Sequence, residues 1–157
     1  MGPSDCVFAR NCIIRRLDRQ RAADFLAHNH YLGACTARYH YGLFTRRKTG
    51  AAESDTPEGT LVAVGSFSNA RRFRDGHTSY EWIRYASLQG LRVMGGMSKI
   101  LKHFCEEHHP GDVMTYVDAS RTDGKAYKDL GFREVERVGR EGYTNIKLKL
   151  FFPPEAE

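Results

Sequence analysis

Gln89-Gly90-Leu91-Arg92-Val93-Met94-Gly95-Gly96-Met97 sets three glycines within nine residues. It follows a segment, Ser79 to Ser87, that reads as a strand. It leads into a segment whose apolar positions, Met97, Ile100, Leu101, Phe104 and Cys105, recur at helical spacing. Lys99, Lys102, Glu106 and Glu107 take the opposite side of that helix, and Pro110-Gly111 ends it. A strand, a glycine turn and then a helix leave the first N–H groups of the helix unpaired, where an anionic phosphate can accept them. Gly95 and Gly96 carry no Cβ and so allow a phosphate close to the backbone. A P-loop would require lysine after its second glycine, and here Gly95 is followed by Gly96. A dinucleotide-binding turn would sit in an early βαβ unit, and this one comes late. A purely structural Gly-Gly turn stays open on this signal alone.

Working toward the amino terminus, Thr60 to Ser68 and Arg38 to Phe44 read as strands. Asp18 opens a helix across Arg19 to His28 with Ala22, Phe25 and Leu26 on its buried side, and Cys6 to Leu17 is a first strand kinked at Asn11. Thr45 to Gly59 has the small and basic composition of an exposed hairpin loop. Toward the carboxyl terminus, Val113 to Val117 is a short buried strand and Arg121 to Leu130 a short helix ended by Gly131. Phe132 to Arg137 and Tyr143 to Phe152 form a closing strand pair, and Pro153 to Glu157 is a frayed tail.

The chain has 157 residues, 41% hydrophobic and 27% charged, which suits one compact domain, 1–157 with its core at 6–152, and excludes a disordered chain. No apolar run approaches the ~18 residues of a membrane span, and Met1-Gly2-Pro3-Ser4-Asp5 lacks the basic and apolar blocks of an export signal. Cys6, Cys12, Cys35 and Cys105 are too scattered for a disulfide framework or a zinc knuckle, so they read as reduced thiols in a cytoplasmic protein. His28-Asn29-His30 lacks the further ligands that a metal would need, and no metal site is expected. The net charge of +5 rests on 24 basic side chains, 17 of them arginine, which suits a polyanionic partner and equally a bias in codon usage.

Arg92-Val93-Met94-Gly95-Gly96-Met97 resembles the acyl-CoA pyrophosphate loop of the GCN5-related N-acetyltransferase superfamily: Arg or Gln, two variable residues, Gly, one variable residue, then Gly or Ala. Met97 departs from the small last residue, which argues either for a shifted helix start or for weakened cofactor binding. Ala126-Tyr127-Lys128-Asp129-Leu130-Gly131-Phe132 is similar to the family's second signature, a short helix followed by Gly-Phe and a strand. The resemblance implies an α/β fold with a mixed, mostly antiparallel central sheet flanked by helices and splayed between its fourth and fifth strands. It implies acetyl-CoA or another acyl-CoA as cofactor, with Arg92, Val93, Met94, Gly95, Gly96, Met97 and Ser98 as its binding residues. Within the superfamily, Tyr80-Glu81-Trp82-Ile83-Arg84-Tyr85, Thr115-Tyr116-Val117-Asp118, Gly124-Lys125-Ala126-Tyr127 and His30-Tyr31 are similar to phage Mom-like DNA-modification proteins. That likeness implies acyl-type modification of a nucleobase amine by a phage-encoded enzyme.

The resemblance assigns Tyr127 as the general acid toward the leaving thiolate, a proton transfer for which a phenol with pKa ~10 is competent. Periodicity alone gives an amphipathic packing tyrosine. Glu81 is the expected base for the attacking amine, with Arg84 and Asp118 orienting the acceptor. Three residues apart on a strand, Glu81 and Arg84 point to opposite faces unless a bulge intervenes. Asp118 is equally suited to capping the segment after its strand. Arg71, Arg72 and Arg74 around Phe73, with Arg46-Arg47-Lys48 on another loop, form a cationic rim of the kind that holds a nucleic-acid backbone, or else a solvated loop. Cys105 lies on the packed stripe of the long helix, so direct transfer is expected over a covalent intermediate. Two other readings stay open: a noncatalytic nucleic-acid-binding module that has lost its cofactor, and an acetyltransferase acting on a small molecule or a protein amine.

Overall fold

The computed structural model describes residues 5–46, 55–56, 59–140 and 143–152. Within them the chain divides into two compact units, Met1–Ser68 with Ile83–Glu107, and Asn69–Trp82 with His108–Glu157. Arg47 and Lys48, most of the hairpin loop and the tail from Pro153 lie outside the described residues.

The first unit begins with β1 (Asp5–Phe8), a 3-10 turn (Ala9–Asn11) and β2 (Cys12–Arg16). The single kinked strand expected at Cys6 to Leu17 is therefore two strands joined by that turn. α1 (Arg19–Asn29) starts where Asp18 accepts the Arg21 N–H at 2.8 Å and buries Ala22, Phe25 and Leu26. β3 (Tyr39–Thr45), β4 (Asp55–Thr56) and β5 (Gly59–Phe67) follow, and β5 is buried along its whole length, as befits a central strand. β2, β3 and β5 pair antiparallel, with Arg16 opposite Tyr41 and Gly42 opposite Val64. On one face Phe44, Leu61 and Val64 pack with Phe25 and Leu26 of α1. On the other, Phe67 stacks on Phe104 at 3.9 Å and Tyr41 meets it edge-on. Phe104 belongs to α2 (Gly96–His108), so alternation along β3 puts the two helices on opposite faces.

β7 (Thr78–Ser87) runs through both units, and its later half lies beside β5, with the Leu88 N–H donating to the Val62 carbonyl at 2.8 Å. The glycine stretch is not all loop. Leu91–Met94 forms β8, which pairs parallel with β1, Cys6 opposite Arg92 and Phe8 opposite Met94.

In the second unit the order is β10 (Arg133–Arg140), β11 (Tyr143–Phe151), β9 (Asp112–Asp118) and the start of β7, with β6 (Arg71–Arg72) on its flank. β9 pairs parallel with β7 over three positions, Ser79 to Glu81 against Asp112 to Met114, where the sequence places the split between fourth and fifth strands. Val113, Thr115, Val117, Ile146 and Leu148 line the buried face with Trp82 and Phe132. Met114, Tyr116, Lys147 and Phe151 alternate onto the other face, where Tyr116 and Phe151 are exposed. The edge strand β10 carries a bulge between Glu134 and Glu136 and an Arg137–Glu134 bond of 2.8 Å, features that blunt edge-to-edge pairing. The helix expected over Arg121 to Leu130 contracts to α3 (Lys125–Lys128). A turn displaces its first half, since the Asp118 carbonyl accepts from the Arg121 and Thr122 N–H groups and Gly124 adopts φ 82°.

Candidate functional site

β8 delivers the chain to Gly95, whose φ of 79° lies in the left-handed region that glycine adopts without cost. The first α-type hydrogen bond of α2 runs from the Lys99 N–H to the Gly95 carbonyl at 3.0 Å. The N–H groups of Gly96, Met97 and Ser98 thus precede the first such bond, and Gly95 has no side chain with which to cap them. A Cβ on Gly95 would meet only Ala9, at 3.8 Å. Gly96 is glycine for another reason than phosphate approach: a Cβ there would collide with the Tyr85 hydroxyl and come within 3.0 Å of Val93. Arg92, Met94 and Ser98 are exposed, and Val93 and Met97 are half-buried. Lys99 is committed elsewhere, its Nζ donating to the Ala9 and Cys12 carbonyls at 2.9 and 2.5 Å, which ties α2 to the 3-10 turn.

Arg84, in the same unit, donates through Nε to the Gly33 carbonyl at 3.2 Å and through Nη1 to the Ile83 carbonyl at 3.1 Å. It thereby holds the loop after α1. The histidines at the end of that helix serve local turns: His30 Nδ1 accepts the Leu32 N–H at 3.0 Å, and His28 Nδ1 lies 2.8 Å from the Asp24 carbonyl. Burial, reinforced by Glu106, pushes the Cys105 thiol up to about 12, so it is protonated at neutral pH and a poor nucleophile.

The second unit separates residues that the sequence groups together. Glu81 pairs with Met114 and shares its face of the sheet, with Tyr116 beyond. Burial raises the Tyr116 phenol above its ordinary value, and Glu81 adds to the shift. Tyr127 packs on the opposite face, its ring edge-on to Trp82 at 5.3 Å and to Phe132 at 5.5 Å. Glu81 also occupies the last paired position of β7 on β9. Asp118 Oδ1 accepts from both the Ser120 hydroxyl, at 2.7 Å, and the Ser120 N–H, at 2.9 Å. Those bonds, the hydroxyl first, hold its carboxyl below the usual range. That makes Asp118 a weak base and a good fixed negative charge.

Arg71, Arg72 and Arg74 are exposed on and after β6. Phe73 stacks flat on His77, 4.5 Å away and 2° from parallel, and the Arg71 guanidinium lies 5.2 Å from the Phe73 ring centre. His77 in turn bonds Asp75 at 2.5 Å and reaches the buried Asp112 at 3.3 Å, while the Ser79 hydroxyl donates to Asp112 at 2.5 Å. The arginine loop is therefore anchored to the start of β9. Sequence patterning shows neither this anchor nor Tyr85, because both depend on strand register.

No protein-family model and no curated protein sequence matches the chain. Solved structures do. A chain of the NatC complex, crystallised with Gag peptide and CoA, is 13% identical with a TM-score of 0.63, covering 91% of this chain and 99% of that one. A chain of the NatB acetyltransferase complex bound to CoA and MES is 12% identical with a TM-score of 0.64, covering 90% and 99%. The ribosomal-protein-S18-alanine N-acetyltransferase of Escherichia coli is 16% identical with a TM-score of 0.60, covering 93% and 97%. This chain has the fold of those N-acetyltransferases. Its mixed, mostly antiparallel sheet flanked by few helices is the architecture that the two sequence signatures imply.

Proposed function

We propose that the chain is an acyl-CoA-dependent N-acyltransferase. The observation that carries the reading is the start of α2: a left-handed Gly95 without a capping side chain, followed by three N–H groups ahead of the first helical hydrogen bond. The likeness in fold to N-acetyltransferases crystallised with CoA supports it. The backbone from Arg92 to Ser98 would hold the diphosphate, with Arg92 adding a guanidinium that can fork onto phosphate oxygens. Bound acyl-CoA would supply an acyl group activated as a thioester.

Glu81, at the last paired position of β7 on β9, would take the proton of the attacking amine, directly or through one water, as the new C–N bond forms, with Tyr127 reaching the thioester from the opposite face of the sheet. Tyr127 would donate its phenolic proton to the sulfur as the C–S bond breaks. Arg84 and Asp118 orient the acceptor, a role that suits Asp118 because its depressed carboxyl stays charged. The acceptor we favour is a nucleobase amine, and the exposed Arg71, Arg72 and Arg74 support it as contacts for a phosphate backbone.

Titrating the protein with acetyl-CoA during thermal unfolding tests the cofactor, since a ligand that binds only the folded chain raises its melting temperature. Mass spectrometry of nucleosides from cells expressing the protein tests the acceptor. An added acyl mass on one base is expected. A melting temperature indifferent to millimolar acetyl-CoA refutes the enzyme, and unmodified nucleosides beside an intact acetyl-CoA response refute only the nucleobase.

A further inference from the structure

In the second unit Tyr127 of α3 packs on the Trp82 and Phe132 side of the sheet, and the reverse side carries Tyr116, 46% exposed, and Phe151, 47% exposed. The strand register fills in the rest of that side. Lys147 pairs with Tyr116, Lys149 with Met114 and Arg133 with Lys149, so these side chains alternate onto the side of the two rings. Lys147 Nζ lies 5.9 Å from the Tyr116 ring centre and the Arg133 guanidinium 5.0 Å from that of Phe151. Glu136 pairs with Lys147, yet among the described residues neither Lys147 nor Arg133 makes an ion pair. Of the other acidic groups on this side, Asp112 is buried against His77 and Ser79, and Asp118 bonds Ser120. Arg71 pairs with Ser79, Ser79 with Asp112 and Asp112 with Phe151, so the arginine loop begins in the same cross-strand row as Phe151. Two rings on one sheet face, rimmed by cations, mark an interaction surface.

We infer that this face of β9 and β11 binds an unpaired nucleic-acid strand, with bases stacking on Tyr116 and Phe151 and phosphates meeting Lys147, Arg133 and Arg71. The inference rests on the nucleobase reading of the acceptor and deepens it, because it names the strand as unpaired. Phe151 pairs with Asp112, four residues along β9 from Tyr116, so the two rings stand about 14 Å apart. That spacing leaves room for a base between them, over Met114. Glu81 pairs with Met114 on the same side, so a base held there lies next to the proposed proton acceptor. A duplex buries the faces of its bases in its own stack and offers the rings only its backbone. An unpaired strand offers both base faces and phosphates, which is what an aromatic and cationic sheet can hold. Lys147 and Arg133 sit beside the rings without a carboxylate partner, which leaves their charge for the phosphates that flank a stacked base.

Fluorescence anisotropy tests this with labelled oligothymidylate and oligouridylate of about twelve nucleotides, an abasic strand of equal length and a duplex. Wild type should bind an unpaired strand about tenfold or more tightly than the abasic strand or the duplex, and the tighter of the thymidine and uridine arms names the sugar. Tyr116→Ala and Phe151→Ala should each weaken binding about tenfold, whereas Tyr116→Phe, which keeps the ring, should bind as wild type does. Lys147→Gln should flatten the slope of log K against log salt by about 0.7. Equal affinity for the abasic strand, preference for the duplex, or wild-type binding by Tyr116→Ala overturns the inference. An unchanged salt slope in Lys147→Gln does so too, and that variant carries the test if Tyr116→Ala does not fold. Unmodified nucleosides beside ring-dependent binding refute only the nucleobase acceptor, and modified nucleosides beside ring-independent binding refute only the stacking surface.

Discussion

The Tyr85 hydroxyl occupies the space that a side chain on Gly96 would need. Tyr85 stands on β7 and Gly96 opens α2, so the fit fixes where the helix begins relative to β7. Gly96→Ala should cost about 1–3 kcal/mol by overpacking. Tyr85→Phe removes the obstructing oxygen, so the double variant should regain much of that loss. A double-mutant cycle in urea checks this. Strictly additive losses would show that the two residues do not meet.

That relation also marks the limit of local reading. The start of α1 was legible because Asp18 is a capping residue at the right place, and α2 because its apolar stripe has helical period and a glycine turn ahead of it. Both signatures lay in short windows. The two strands flanking the 3-10 turn at Ala9 were not separable, because their break depends on β1 leaving β2 to pair with β8 more than eighty residues later. α3 shrank because the Asp118 turn competes for the backbone groups that an earlier helix start would use. The opposite placement of Glu81 and Tyr127 follows from the β7–β9 register, which no window around either residue contains.

Acid should loosen the first unit through His40. The ring is 5% exposed, its Nδ1 lies 2.6 Å from the Ser66 hydroxyl, and among the described residues its Nε2 has no partner. Burial lowers its pKa below the ordinary 6.5, helped by Arg19 and Arg16 against a smaller opposing effect of Asp18. Well above pH 6.5 the ring is neutral folded and unfolded, and stability is unaffected. As pH falls below 6.5 the unfolded chain takes up the proton first, so stability declines until the pH passes the lowered folded value. Melting temperatures between pH 7.5 and 5 should therefore fall in wild type and fall less in a His40→Leu, Ser66→Ala double variant. Equal slopes would remove His40 as the cause.

Tyr127 has two separable parts. Its ring meets Trp82 and Phe132 edge-on, a geometry worth about 0.5–1.5 kcal/mol per aromatic pair beyond burial. Tyr127→Ala should lower the melting temperature, and Tyr127→Phe, which keeps the ring, should lower it much less. If the phenol protonates the leaving thiolate, Tyr127→Phe lowers kcat by about a hundredfold or more with acetyl-CoA affinity unchanged. A kcat equal to wild type would leave Tyr127 as a packing residue.

The arginine loop makes the acceptor reading testable apart from chemistry. Arg71, Arg72 and Arg74 are exposed, and the loop that carries them is anchored through the Phe73–His77 stack and the His77 bonds to Asp75 and Asp112. Each arginine that neutralises a phosphate releases counterions, so affinity for DNA should fall with salt, and each loss should flatten the slope of log K against log salt by roughly 0.7–0.9. Replacing Arg72 and Arg74 by Gln should therefore weaken DNA binding and reduce that slope by about 1.4–1.8, with no change in melting temperature. His77→Ala should weaken binding by a different route, since it leaves every arginine in place and removes the anchor. A variant slope equal to wild type would exclude the arginines from the interface and return the acceptor to a small molecule or a protein amine.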